Sequence, residues 1–129
     1  MQASVTDLRT DIAVLHLRGE LDADTAAGLR AALADLLKRP VPRIVVDLAG
    51  LRFCDSVGLS AFVVSKQAIT SRGGWLSFAC ASPFLSTLMG TVGVTRYFSM
   101  YVDVDAAVAG SCAAPQAGSA GRDISGGPQ

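Results

Sequence analysis

Residues 47–60 read Asp47-Leu48-Ala49-Gly50-Leu51-Arg52-Phe53-Cys54-Asp55-Ser56-Val57-Gly58-Leu59-Ser60. They follow an apolar run at 43–48 that is rich in β-branched residues, which predicts a buried strand. From Leu59 to Ile69, apolar residues recur at helical spacing and predict an amphipathic helix. Asp55 and Ser56 are both strong N-capping residue types. The pattern therefore places a serine hydroxyl at a helix start, where backbone N–H groups and the helix dipole favour an anion such as phosphate.

Upstream of this stretch, the sequence predicts two strands and a helix. Residues 4–9 and 11–18 form an antiparallel pair with a turn at Thr10-Asp11, and residues 13, 15 and 17 give the second strand one buried face. Asp22, Asp24 and Thr25 supply caps and negative charge for the helix start, and Pro40 ends the helix before the buried strand. The buried stripe of this helix consists of four leucines: Leu29, Leu33, Leu36 and Leu37.

Downstream of the central stretch, strands and helices continue to alternate. The second helix ends near Gly73-Gly74, where glycine adopts the left-handed conformation. The remaining predicted elements are a strand at 75–80, a helix that begins at Ser82-Pro83 and unwinds over 90–93, a strand at 97–102 and a small helix at 106–109. The fold class is therefore α/β, with a mixed sheet of about four to five strands packed against α-helices in a single domain at 1–109.

Composition narrows the classes of function. Half of the 129 residues are hydrophobic and 17% are charged, which indicates a globular chain, and eleven basic residues balance eleven acidic ones. We therefore expect no direct nucleic-acid partner. No apolar run reaches the roughly 18 residues of a membrane span, and the N-terminus lacks the pattern of a signal peptide, so we expect a cytoplasmic protein without a membrane partner. Residues 110–129, rich in Gly, Ala and Ser, predict a disordered tail.

Catalytic and metal sites find little support in the sequence. The only histidine, His16, lies on the polar side of a strand, and Ser56 lacks the Gly-x-Ser-x-Gly elbow of common hydrolases. Asp47 and Asp55 are more simply explained by a strand end and a helix cap than by paired catalytic carboxylates. The three cysteines form no metal-ligand array, and no nucleotide-binding motif occurs. We expect no enzyme activity, no catalytic or metal site and no cofactor.

Two motifs resemble the anti-sigma-factor antagonists, which are small bacterial proteins of the STAS domain class. The first is Asp47-Leu48-x-x-Leu51-x-Phe53-x-Asp55-Ser56-x-Gly58-Leu59, and the second is Gly19-Glu20-Leu21-Asp22-x-x-Thr25. The resemblance runs from about residue 4 to 109. It implies a STAS-type domain that binds an anti-sigma factor, itself a serine kinase, and thereby frees a sigma factor for transcription.

The resemblance also implies how the binding is regulated. The kinase phosphorylates the serine after the motif aspartate, which corresponds to Ser56, and a phosphatase resets the cycle. Some members carry a second acceptor at the next position, where this chain has Val57. The residues implied in partner binding lie in the two motifs: Asp22, Asp24, Thr25, Asp55, Val57 and Gly58.

Several alternatives remain open at the level of sequence. A STAS module of a stress-sensing or lipid-transport assembly is the second interpretation of the function, and a small hydrolase is the third. Gly58 is required for the close approach of a backbone, either that of the neighbouring strand or that of the partner. Cys54 is better explained as a packed small side chain than as a redox sensor. We expect a monomer or a weak dimer.

Overall fold

The computed structural model describes residues 1–9, 11–91 and 98–113. Its strands are β1 (Gln2–Arg9), β2 (Ile12–Leu21), β3 (Arg43–Cys54), β4 (Trp75–Ala79) and β5 (Ser99–Tyr101). Its helices are α1 (Ala26–Leu37), α2 (Ser56–Ser71), α3 (Pro83–Thr91) and α4 (Val104–Ala113). The strands form one five-stranded sheet in the order β1-β2-β3-β4-β5. The predicted α/β class with a mixed sheet is confirmed.

The sheet is parallel apart from its first strand. β1 pairs with β2 in antiparallel fashion, whereas β2 through β5 pair with one another in parallel. Consecutive parallel strands need a helical crossover, which α1, α2 and α3 provide. The carboxyl ends of β2, β3, β4 and β5 therefore meet at one edge of the sheet, which we call the carboxyl edge. The starts of α1, α2, α3 and α4 all lie along this edge.

Both faces of the sheet are covered. The larger core lies against α1, α2 and α3 and contains the buried leucines Leu29, Leu33 and Leu36 of α1. A smaller apolar cluster on the other face includes Ala107 and Val108 of α4. The prediction that β2 has one buried face is wrong, because Ile12 and Val14 are buried in this second cluster.

β3 is longer than its sequence indicates. The predicted strand at 43–48 continues to Cys54, so most of the expected strand-to-helix connection belongs to the strand. Two register shifts against β2 interrupt the pairing, one after Asp47 and one after Leu51, and each places an extra residue in β3. Bulges of this kind change the phase of the inward and outward side chains. β3 therefore reaches Asp55 with no true loop before α2.

The C-terminal elements differ in length from the predictions. β4 ends at Ala79, β5 covers Ser99–Tyr101, and α3 runs to Thr91 instead of unwinding from residue 90. Residues 92–97, including part of the predicted last strand, lie outside the described residues. α4 extends to Ala113 and so includes residues assigned to the tail, among them Ser111, which hydrogen-bonds to Ser77 of β4. Residues 114–129 lie outside the described range. In the part of the chain that is described, no helix has the length and apolar character of a membrane span.

Candidate functional site

The junction between β3 and α2 is organised by Asp55. Its backbone is extended, and its Oδ1 accepts a hydrogen bond of 3.0 Å from the N–H of Gly58, which makes Asp55 the N-cap of α2. The carbonyl of Asp55 accepts from the N–H of Leu59 at 3.0 Å and so begins the helical hydrogen bonding. The predicted cap is confirmed, and Ser56 is the first residue of the helix.

Ser56 and Val57 are exposed in the first turn of α2. Backbone N–H groups of a first turn have no acceptor within their own helix, and the helix dipole adds a partial positive charge there. A phosphate on the Ser56 hydroxyl would therefore stay in solvent and close to favourable backbone donors. The fold provides an accessible, anion-tolerant position for this serine.

Gly58 is buried and packs against the end of β2. A Cβ atom at this position would lie 2.6 Å from Cγ of Leu21 and 3.0 Å from Sγ of Cys54. The three atoms nearest to this Cβ belong to the Leu21 and Cys54 side chains, so the neighbouring strands approach Gly58 through side chains and not through the predicted backbone. The approach of a partner's backbone stays a prediction. Gly58 thus supports the junction from below, whereas Ser56 and Val57 form its surface.

The Gly58→Ala variant should destabilise the fold. Leu21 is fully buried and Cys54 is buried, so the added methyl group has no free volume. Overpacking of this kind costs about 1–3 kcal/mol of unfolding free energy, of which helix propensity returns up to about 1 kcal/mol. Gly28→Ala is the matched control, because its Cβ would meet only the end of the Met1 side chain at 4.0 Å. Urea unfolding should show Gly58→Ala below and Gly28→Ala at or above the wild type; equal stability of the two variants would contradict this packing.

The loop between β2 and α1 is held by Asp22 and Thr25. Oδ1 of Asp22 accepts hydrogen bonds from the backbone N–H groups of Asp24 at 3.0 Å and Thr25 at 3.1 Å. Oγ1 of Thr25 donates to the carbonyl of Glu20 at 3.0 Å and accepts from the N–H of Asp22 at 2.9 Å. α1 begins after Thr25, whose own side chain makes no cap hydrogen bond. The second motif thus encodes a closed turn, and the side chain of Asp24 stays exposed on it.

The two motifs lie next to each other at the carboxyl edge. Leu21 pairs with Cys54 in the parallel ladder, so Asp22 and Asp55 follow directly opposed residues. The N–H of Asp55 also donates to the carbonyl of Leu21 at 3.0 Å. The structure therefore brings together the predicted partner-binding residues of both motifs around Ser56, with Gly58 beneath the surface.

The geometry gives no support to a triad around Ser56. His16 lies 2.8 Å from Asp47 through Nδ1 and 3.1 Å from the Thr6 hydroxyl through Nε2. Five residue steps along β2 separate His16 from Leu21, which corresponds to roughly 16 Å of strand before the junction is reached. The base required by a hydrolase is thus bound to other groups and far from the serine.

Asp47 and Asp55, which the sequence analysis assigned to a strand end and a helix cap, both have structural partners. Burial raises the pKa of Asp47, but hydrogen bonds from the Ala49 N–H and the His16 ring outweigh it, so the pKa lies below its ordinary value. Asp55 serves as the helix cap. Among the described residues, no group of three or more histidine, cysteine or acidic side chains is placed to hold a metal ion.

Cys54 behaves as part of the packing. It is buried beneath the junction, and burial together with the charge of Asp55 raises the pKa of its thiol to about 12. The thiol therefore stays protonated at neutral pH, whereas redox reactions proceed through the thiolate. Sequence analysis did not assign Leu21 or Cys54 to the site. Their equivalent positions at the ends of two parallel strands become recognisable only when the strand register is known.

Comparison with known proteins identifies the fold family. A family model described as Mlab, STAS domain matches residues 5–102 of the chain. The chain belongs to the STAS domain family. The resemblance seen in the two motifs is thereby confirmed. This STAS domain is also 26% identical over 91 residues to an anti-sigma F factor antagonist of Paenibacillus polymyxa, a match that covers 70% of this chain and 78% of that protein.

Solved structures show the same STAS fold. A crystal structure of an anti-sigma factor antagonist from Mycobacterium paratuberculosis superposes with a TM-score of 0.77 and 23% identity, over 86% of this chain and 93% of that one. The Bacillus cell fate determinant SpoIIAA in its phosphorylated form gives a TM-score of 0.61 and 19% identity, over 77% and 90% of the two chains. At these identities the superpositions establish the shared architecture.

Proposed function

We propose that this STAS domain is an anti-sigma factor antagonist that binds a serine-kinase anti-sigma factor while Ser56 is unphosphorylated. Binding releases a sigma factor, phosphorylation of Ser56 by the kinase ends the binding, and a phosphatase restores it. The protein acts by binding and not as an enzyme, in the cytoplasm where transcription takes place. The observation that carries the proposal is Ser56 itself, exposed at the first position of α2 directly after its Asp55 cap.

The relatives support the antagonist role. The Paenibacillus polymyxa relative is an anti-sigma F factor antagonist by name, and SpoIIAA has been solved in a phosphorylated form. Here the serine follows the capping aspartate, and the neighbouring Val57 offers no second acceptor. An exposed serine at this position is best explained as the residue that a kinase phosphorylates.

The physical basis of the proposed switch is electrostatic. A phosphate adds about −1.5 to −2 charges at neutral pH. The first turn of α2 tolerates this charge within the folded domain, because it is exposed and close to the positive end of the helix dipole. In a complex that covers Ser56 this charge loses contact with solvent. The partner must displace water from it, and this desolvation costs binding free energy. Phosphorylation therefore weakens the complex and leaves the fold of the antagonist intact.

Phosphosite mapping tests the proposal. The purified protein is incubated with ATP and each purified kinase-type anti-sigma factor of the source organism, and the products are digested and analysed by mass spectrometry. We expect one phosphate at Ser56, complete loss of incorporation in Ser56→Ala, and wild-type incorporation in Ser60→Ala, in which an exposed serine one turn later is changed. Incorporation at another residue, or undiminished incorporation in Ser56→Ala, would exclude Ser56 as the acceptor.

A further inference from the structure

We propose that the anti-sigma factor covers an apolar surface that extends from Ser56 along the carboxyl edge to α3 and β5, well beyond the two motifs. This surface, the apolar edge, consists of Phe53, Val57, Phe84 and Val102. The inference rests on the proposed function and adds the location and chemistry of the contact. The partner it fits is a protein with an apolar centre and basic groups at its margins.

The distribution of exposed apolar residues carries the inference. In the described part of the chain seven large hydrophobic side chains are exposed, and four of them form the apolar edge. Phe84 is 55% and Val102 83% exposed, and Phe53 and Val57 are 40% and 41% exposed. Scattered exposed apolar residues are ordinary, but a concentration at one place marks an interaction surface. The other three are Val5 and Leu8 on β1 and Val64 farther along α2.

Topology places the four residues at the same end of the parallel strands. Phe53 is the penultimate residue of β3, and Val102 is the first residue after β5. Val57 and Phe84 occupy equivalent positions, since each is the second residue of a crossover helix that follows a parallel strand. None of these positions is required by the core, yet each carries an apolar residue at the same edge as Ser56.

The dimensions agree with a single protein footprint. Neighbouring strands lie about 4.8 Å apart, so the ends of β2 through β5 span roughly 15 Å. A standard interface buries about 800 Å² on each partner, a patch about 30 Å across. A partner centred on Ser56, at the end of β3, therefore reaches both the β2–α1 loop and the end of β5. A kinase whose footprint is centred on Ser56 therefore reaches the starts of α3 and α4, next to Phe84 and Val102.

Acidic side chains flank the apolar edge at both ends. Asp24 is exposed on the β2–α1 loop, on the opposite side of Ser56 from β4 and β5. Asp103, the residue after Val102, is also exposed, so the footprint carries an acidic residue at its β2 end and at its β5 end, with the apolar side chains between them. Apolar aromatic residues are enriched in interface centres and charges lie at the rim. The complementary partner surface carries a basic residue opposite Asp24 and an apolar group opposite Phe84.

The test uses exposed residues, whose replacement leaves the core intact. Phe84→Ser and Val102→Ser are compared with Leu8→Ser, an exposed apolar residue near the end of β1, which lies at the opposite edge because β1 is antiparallel. Dissociation constants are measured by titration calorimetry with the purified kinase-type anti-sigma factor that phosphorylates the wild type. We expect Phe84→Ser and Val102→Ser each to weaken binding at least tenfold, as at interface centres, with Leu8→Ser within twofold of the wild type.

Asp24→Asn tests whether the acidic residue at the β2 end of the footprint contributes to binding. A rim charge contributes mainly through long-range attraction, so this variant should weaken binding about threefold at low salt and much less at 0.5 M salt, where screening is strong. If the wild type binds, and Phe84→Ser and Val102→Ser each bind within twofold of the wild type, the apolar edge is overturned while the proposed function stands. Failure of the wild type to bind any of the kinase-type anti-sigma factors would overturn the proposed function, and the apolar edge with it.

Discussion

Ser56→Asp should weaken binding to the anti-sigma factor about a thousandfold. The variant places one negative charge where the partner must pack against the first turn of α2. Removing water from an unpaired carboxylate at the interface costs on the order of 4 kcal/mol, in keeping with the several kcal/mol per buried ion found in proteins. Because each 1.4 kcal/mol corresponds to a tenfold change in affinity, this is about three orders of magnitude. Titration calorimetry of the wild type and the variant against the same anti-sigma factor measures the effect.

The control for this variant is Gln67→Glu. Gln67 is exposed on the same helix, and the substitution adds the same charge with little change in shape. Eleven residues of helix separate it from Ser56, a distance of about 16 Å and thus about two Debye lengths at physiological salt. We expect binding within twofold of the wild type. A comparable loss of affinity in both variants would show that net charge, and not the position of Ser56, controls the interaction.

The fold of Ser56→Asp should remain intact. Ser56 is exposed and follows the N-cap, and an acidic residue in the first turn interacts favourably with the helix dipole, although Asp55 lies beside it. We expect an unfolding free energy within about 1 kcal/mol of the wild type, as for most surface substitutions. A variant that loses both binding and stability would indicate that the charge acts by unfolding the junction.

Phe62→Ala should produce the largest loss of stability of any substitution considered for this protein. Phe62 anchors α2 in the core, where its ring meets Phe78 edge-on at a centroid distance of 4.9 Å and Phe98 at 6.4 Å. Truncation of a buried phenylalanine costs about 3–5 kcal/mol through lost burial and the cavity left behind. This is a large share of the 5–15 kcal/mol typical of a domain. Guanidinium unfolding monitored by circular dichroism measures it.

Phe84→Ala is the matched control for that truncation. The same group is removed from a side chain that is 55% exposed, so the change in unfolding free energy should stay below about 0.5 kcal/mol. If Phe62→Ala does not fold, Phe62→Leu retains most of the apolar volume and should lose about 1 kcal/mol. Equal stabilities of Phe62→Ala and Phe84→Ala would contradict the position of the aromatic cluster in the core.

Local sequence patterns predicted the junction well because its interactions are local. A side-chain N-cap requires an oxygen acceptor and a backbone N–H two or three residues later, and Asp55 and Gly58 supply them here. The start of α3 follows the same rule, since the Ser82 hydroxyl accepts from the N–H of Leu85 at 3.1 Å. The left-handed C-terminal residue of α2 also follows from one glycine, Gly73, with φ of +79°. Such features need no knowledge of the remaining chain.

Sequence patterns failed to predict the structure where pairing with a distant strand changes the local alternation of buried and exposed side chains. Residues 49–54 show no simple alternation of buried and exposed side chains, so the sequence indicated a connection and not a strand. The pairing of β3 with β2 absorbs two extra residues as bulges, and this depends on a strand about thirty residues earlier. The burial of Ile12 and Val14 also depends on a distant segment of the sequence, since α4 covers the face of the sheet on which they lie.

Composition and motif spacing alone established the α/β class, the helix cap at Asp55 and the position of Ser56 as the first residue of α2. Tertiary structure decided what surrounds that serine. The parallel register brings the β2–α1 loop against the junction through the Asp55–Leu21 hydrogen bond, and it makes Gly58 a packing residue beneath Leu21. It also gathers Phe84 and Val102, separated from Ser56 by tens of residues, at the same edge of the sheet. These relations arise from strand order and register, which short-range propensities do not contain.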